Sequence, residues 1–165
     1  MSQPKPGPAR PAAAPPGPPP LRELRGAGFR LALPVGWSDR SVYSTSTQTP
    51  DGHQATITII TQLLPQGGDL ASYAEDQLRQ LAGQLSDYEG IRSERRLLGT
   101  RPCQFVQFRW KPAKSDPVRQ SQWYVQHQSF VFTLTATVPE GAPQDVDTRL
   151  ASILGGFTPV VQAGA

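Results

Sequence analysis

The sequence predicts an α+β fold, a mostly antiparallel sheet with helices packed on it. Three observations carry that expectation. Segments of strand character outnumber helical ones, and two of them flank "PDGH" (50–53), whose Asp-Gly pair is hairpin-turn chemistry. Two stretches, 67–88 and 143–157, show the three-and-four spacing of an amphipathic helix. Four strand segments follow one another between those helices, so strands and helices do not alternate as they do around a parallel sheet.

Taken in order, "FRLALP" (29–34) reads as a first strand, stopped by Pro34 and turned through Gly36. A second strand covers 40–48. Its parities are Val42, Ser44, Ser46 and Tyr43, Thr45, Thr47, so both faces are small and polar after the first residues. A half-buried strand pairs an apolar parity with a polar one. This segment is therefore either an exposed edge strand or one whose small face is kept for a partner. The third strand, "QATITIITQLLP" (54–65), sets Ile57, Ile59 and Thr61 on one face and Thr56, Thr58 and Ile60 on the other, and ends at Pro65. In the helix "GGDLASYAEDQLRQLAGQLSDY" (67–88), Asp69 is a good N-cap, and Leu70, Ala74, Leu78, Leu81 and Leu85 make an apolar stripe. Strands follow at 88–98, 101–112, 118–128 and 129–139. A closing helix, "PQDVDTRLASILGGF" (143–157), offers Val146, Leu150, Ile153, Leu154 and Phe157. No internal repeat appears.

At 165 residues the chain has room for one domain. Residues 1–27 read as a disordered proline-rich tail, 28–159 as the domain and 160–165 as a flexible C-terminus. Nine of the 18 prolines fall in residues 1–20, among almost nothing apolar larger than alanine, so burial there does not offset the entropy of ordering. The tail also holds the net charge of +3: Lys5, Arg10, Arg22 and Arg25 against Glu23 leave twelve basic and twelve acidic residues elsewhere. A nucleic-acid partner would need a basic face on the domain, and none is expected. Cys103 is alone, so an intrachain disulfide is excluded and an oxidising compartment gains no support. No apolar run resembles a secretory signal or approaches the ~20 residues of a membrane span. The expectation is a soluble, cytoplasmic protein without stable membrane insertion.

Catalytic chemistry finds little support. His53 in a turn and His127 near a strand end read as solvated, and Cys103, beside Gln104 and Phe105, reads as a buried inert thiol. There is no G-x-S-x-G, C-x-x-C, H-E-x-x-H or phosphate loop, and no close pair of acids. Neither an enzyme, a metal nor a cofactor is expected.

Glutamine is the unusual feature. Gln104, Gln107, Gln120, Gln122, Gln126 and Gln128 fall on strand segments, and Gln77 shares a helical face with Leu81 and Leu85. Gln120 and Gln122 share a parity with Val118. Two readings stand open: a solvent-facing sheet, or a concave surface mixing small apolar residues with amides that both donate and accept.

"LPVGWSDRSV" (33–42) resembles the opening of DcrB-like proteins, in particular the Eag chaperones of type VI secretion. "LASYAEDQLRQL" (70–81), "RPCQFVQFRW" (101–110), "RQSQWYVQ" (119–126) and the ending "FVFTLTATVPE…ILGGFTP" match in the same order, so the resemblance covers about 28–159. It implies a PsbP-like fold and a homodimer. It also implies binding of the N-terminal transmembrane segments of effectors with PAAR or Rhs regions, which are kept soluble before secretion. By match to the family's hydrophobic-grip pattern, the partner-binding residues would be Val42 and Ser44, with Ile57 or Ile59 beside them. Gln77, Leu81 and Leu85 would come from the helix and Val118 and Gln122 from a later strand, where Gln120 joins the candidates by its shared parity. Ser44 stands where the family often has a larger aliphatic residue. The alternatives are an envelope-associated DcrB-like protein or a small ligand-binding domain of the same fold.

Overall fold

The computed structural model describes residues 21–26, 29–34, 42–48, 52 and 54–159. The expected tail over 1–20, the turn at Gly36, His53 and the C-terminus from 160 lie outside the described residues. Two compact units result, Met1–Ser38 and Asp39–Ala165.

The first unit contains a two-stranded antiparallel sheet. Strand β1 (Leu21–Gly26) pairs with β2 (Phe29–Pro34) in register from Leu21↔Pro34 to Gly26↔Phe29. The strand expected at 29–34 is present, but residues 21–26, assigned to the tail on sequence, are its partner. The proline run ends at Pro20, and from Leu21 onward every residue of "LRELRG" retains the backbone N–H that proline lacks.

The second unit follows the order β3 (Val42–Gln48), β4 (Gln54–Leu63), α1 (Leu70–Gln84), β5 (Glu89–Leu98), β6 (Arg101–Trp110), β7 (Val118–His127), β8 (Phe130–Pro139) and α2 (Gln144–Gly155). The six strands form one antiparallel sheet, ordered β3-β4-β8-β7-β6-β5. This is the α+β arrangement the segment order predicts. Gly52, at φ +81°, takes the left-handed conformation in the β3–β4 connection, as the Asp-Gly signal requires.

The sheet buries both faces through strict alternation. Phe105, Trp123, Leu134, Ala136 and Val138 point to one face, where Val146, Leu150 and Leu154 of α2 cover them. Val106, Phe108, Tyr124 and Val131 point to the other and receive α1 through Ala74, Leu70, Leu78, Leu81 and Leu85. Trp123, Phe108 and Tyr124 are essentially fully buried. Each contributes about 25 cal/mol per Å² of apolar surface removed from water. Ile153, offered by the spacing as part of the α2 stripe, is 64% exposed, because Val146, Leu150 and Leu154, four apart, already fill the contact.

Local features fix the helix ends. Asp69 caps α1, its carboxylate accepting from the Ala71 and Ser72 amides at 2.9 and 3.1 Å and from the Ser72 hydroxyl at 2.7 Å. These bonds, led by the Ser72 hydroxyl, hold its carboxyl below the usual value. Arg119 ties β7 to the entry of α2. It pairs with Asp147 at 2.6 Å and donates to the Glu140 and Ala142 carbonyls at 3.0 and 3.2 Å. Gly99 lets the end of α2 approach the β5–β6 turn: its φ is +59°, and a Cβ there would lie 2.6 Å from the Gly155 carbonyl oxygen. Cys103 is buried, and desolvation raises its thiol pKa.

Candidate partner-binding face

Helix α1 lies over β6 and β7. On the same side of the sheet, the registers align three rows of side chains that run outward to β3. One row is Ser46, Thr56, Thr137, Gln120 and Phe108. The next is Ser44, Thr58, Thr135, Gln122 and Val106, and the third is Val42, Ile60, Thr133, Tyr124 and Gln104. None of these fifteen positions carries a charged side chain. The first two rows grade from apolar core at Phe108 and Val106 to hydroxyls toward β3, and the third ends there in the aliphatic pair Ile60 and Val42.

Most of the polar groups are already paired. The Trp110 indole N–H donates to Gln120 Oε1 at 2.9 Å, and Gln120 Nε2 donates onward to Thr137 Oγ1 at 2.9 Å. The Tyr124 hydroxyl donates to Gln122 Oε1 at 2.5 Å, and the Tyr73 hydroxyl of α1 donates to Gln62 at the end of β4. The Ser44 and Thr58 hydroxyls face each other at 3.4 Å. Gln122, Thr133 and Thr135 are 7–8% exposed, whereas Val42 at the rim is 57% exposed. Burial pushes the Tyr124 phenol well above its ordinary value and raises those of Tyr73 and Tyr88.

Of the residues singled out on sequence, Val42, Ser44, Gln120 and Gln122 fall within these rows. Val118 shares their parity on β7, opposite Trp110 and Pro139. Leu81 and Leu85 belong to the same side but pack into the core beneath α1, and Gln77 is half-buried on that helix. Ile57 and Ile59 do not belong with them. They pair with Ala136 and Leu134 and pack against the core covered by α2, on the opposite face. The β4 residue that stands beside Val42 is Ile60. A strand alternates faces at every residue, so choosing the wrong parity moves the whole set across the sheet.

The glutamines do not form one surface either. Gln107 is on the α2 side, donating to Ser121 at 3.0 Å, and Gln128 sits in the β7–β8 turn at φ 54° instead of on a strand. Sequence reasoning missed Thr133, Thr135 and Thr137, which form the middle of the floor. Their alternation with Leu134, Ala136 and Val138 in "FVFTLTATVP" was the signal available. Among the described residues, no three His, Cys, Asp or Glu side chains converge as metal ligands. No helix among them is long and apolar enough to cross a membrane.

Among solved structures, the chain is similar to a Pseudomonas aeruginosa protein of unknown function, described as a putative regulator. The TM-score is 0.70 at 14% identity, over 86% of this chain and 99% of that one. At that identity the likeness is one of fold. It also aligns with the PsbP protein of the cyanobacterium Synechocystis, at TM-score 0.42 and 11% identity over 81% of this chain and 88% of that one. A third similar structure is LpqN of Mycobacterium tuberculosis, involved in cell envelope biogenesis, at TM-score 0.42 and 18% identity over 83% and 76%. No curated protein sequence matches the chain. The sequence profile of the DcrB family matches residues 29–155, the span that holds β2 through α2 and every row of the uncharged face, and the chain therefore belongs to the DcrB family.

Proposed function

We propose that this DcrB-family chain is a chaperone of type VI secretion, which holds an apolar N-terminal helix of a PAAR- or Rhs-type effector against the uncharged face before export. The observation that supports this reading is the set of three rows beside α1, two of Ser, Thr and Gln and one of Val42, Ile60, Thr133 and Tyr124, free of charge across β3, β4, β8 and β7. A membrane helix covers what it binds with hydrocarbon, so a floor with unpaired polar groups would lose hydration without replacement. Here the Trp110–Gln120–Thr137 chain and the Tyr124–Gln122 bond occupy both β7 glutamine amides of the rows within the protein. The short hydroxyl side chains let a helix backbone come close, as small residues do between membrane helices. The exposed Val42, with Ile60 beside it, adds apolar contact at the rim.

In this reading the protein works by binding alone, in the cytoplasm, and as the homodimer the resemblance implies. The test is co-expression with the N-terminal fragment of an effector encoded beside it. The fragment is expected to stay soluble and co-purify with the chain. A fragment that aggregates equally with and without the chain contradicts the proposal. Light scattering at micromolar concentration is expected to give twice the 17.9 kDa chain mass.

A further inference from the structure

The two edges of the six-stranded sheet are opposite in character. Strand β5 carries Arg92, Glu94, Arg95 and Arg96, and its pairing with β6 is irregular between Gly90 and Arg92. Charges and bulges are the usual means of keeping a sheet edge from pairing with another chain. Strand β3 has neither. "VYSTSTQ" contains no charge, proline or glycine, stays in unbroken register from Val42↔Ile60 to Gln48↔Gln54, and is exposed at all seven residues. Its valine, tyrosine and threonines favour extended backbone. Its outer N–H and C=O groups have no partner strand within this sheet.

We propose that an extended, uncharged segment of the client, adjoining the helix held on the face, adds to β3 as a further strand. This rests on the chaperone reading above. The rows that would receive the helix begin on β3 itself, with Val42, Ser44 and Ser46, and α1 lies over their other end at β6 and β7. A chain leaving the helix site on the side away from α1 passes over β3, whose outer backbone groups have no partner strand among the described residues of this sheet. Strand addition uses the client's backbone, so it tolerates varied side chains as long as they bring no charge to be desolvated.

Two synthetic peptides test this on the full chain in mild detergent. Both carry the same Leu/Ala/Ser helix of about 20 residues, flanked by a Ser/Thr/Val segment as long as β3. In one peptide, alternate flank residues are proline, which removes the N–H groups needed for pairing. The unmodified peptide is expected to bind about tenfold more tightly, the yield of a few net hydrogen bonds. It is also expected to slow hydrogen exchange at β3 amides but not at β5. Equal affinities with β3 amides unprotected overturn strand addition and leave helix capture standing. Binding of neither peptide overturns both. Protection of β3 that appears in the free chain and rises with its concentration assigns the edge to a second copy, and also overturns the proposal.

Discussion

The Tyr124 hydroxyl donates to Gln122 Oε1 at 2.5 Å, two residues apart on the same face of β7. Both are buried, Tyr124 at 1% exposure and Gln122 at 8%. The Gln122 amide, which the family resemblance assigns to partner binding, is thus part of the folded core as well as of the floor.

Gln122→Ala is therefore expected to destabilise the free protein. Removing the acceptor leaves a buried phenol unpaired, at a cost of roughly 1–3 kcal/mol, read as a lower midpoint in urea or heat. Gln77→Ala, on the half-buried flank of α1, is the cleaner probe of client contact. It is expected to leave the melt unchanged while weakening capture. An unchanged melt for Gln122→Ala would show that the Tyr124 bond contributes nothing.

Alkaline pH should loosen the fold. Burial holds the Tyr124, Tyr73 and Tyr88 phenols neutral above their ordinary value. The raised native pKa means that stability is intact below the unfolded value of about 10 and is lost as pH rises through the native one. Unfolding free energy measured across that range should fall, and Tyr124→Phe should flatten the decline. A stability independent of pH above about 10 would contradict the burial argument.

Arg119→Ala should be among the more damaging substitutions outside the apolar core. Its partner Asp147 and the guanidinium are 15% and 14% exposed, so the change strands a largely buried carboxylate and two carbonyls. A loss on the order of 3 kcal/mol is expected in denaturant titration. The exposed pair Arg149–Asp145, broken by Arg149→Ala, should cost well under about 1 kcal/mol.

Gly99→Ala should destabilise through backbone alone. The added Cβ meets the Gly155 carbonyl oxygen at 2.6 Å, and the residue is held at φ +59°. Gly83→Ala, with no atom within 4 Å of the new Cβ, should be neutral or stabilising because it sits inside α1. Equal effects of the two would refute the close approach of α2.

Much of the fold was legible because alternation and capping act locally. Asp69, the α1 stripe and the four consecutive strands each follow from a pattern a few residues long. The face of β4 was not. "QATITIITQL" offers isoleucine on both parities, and only pairing decides that Ile60 stands beside Val42 while Ile57 and Ile59 meet α2. The glutamines were legible as residues but not as partners of Tyr124, Trp110 and Thr137, since those bonds join different strands or depend on side-chain burial. The hairpin at β1 was hidden by its nearness to the proline run.

Neighbouring residues on β3 give the most direct test of the uncharged face as the client site. Ser44 and Thr45 are both exposed on the same strand, but Ser44 pairs with Thr58 on the row side and Thr45 with Ile57 on the α2 side. Aspartate at either position is too short to carry its charge clear of a helix lying on it. Co-purification of the effector's N-terminal fragment should be lost for Ser44→Asp and retained for Thr45→Asp, with both variants melting like the parent. Equal retention by the two, or loss only for Thr45→Asp, would contradict the assignment of the client to this face.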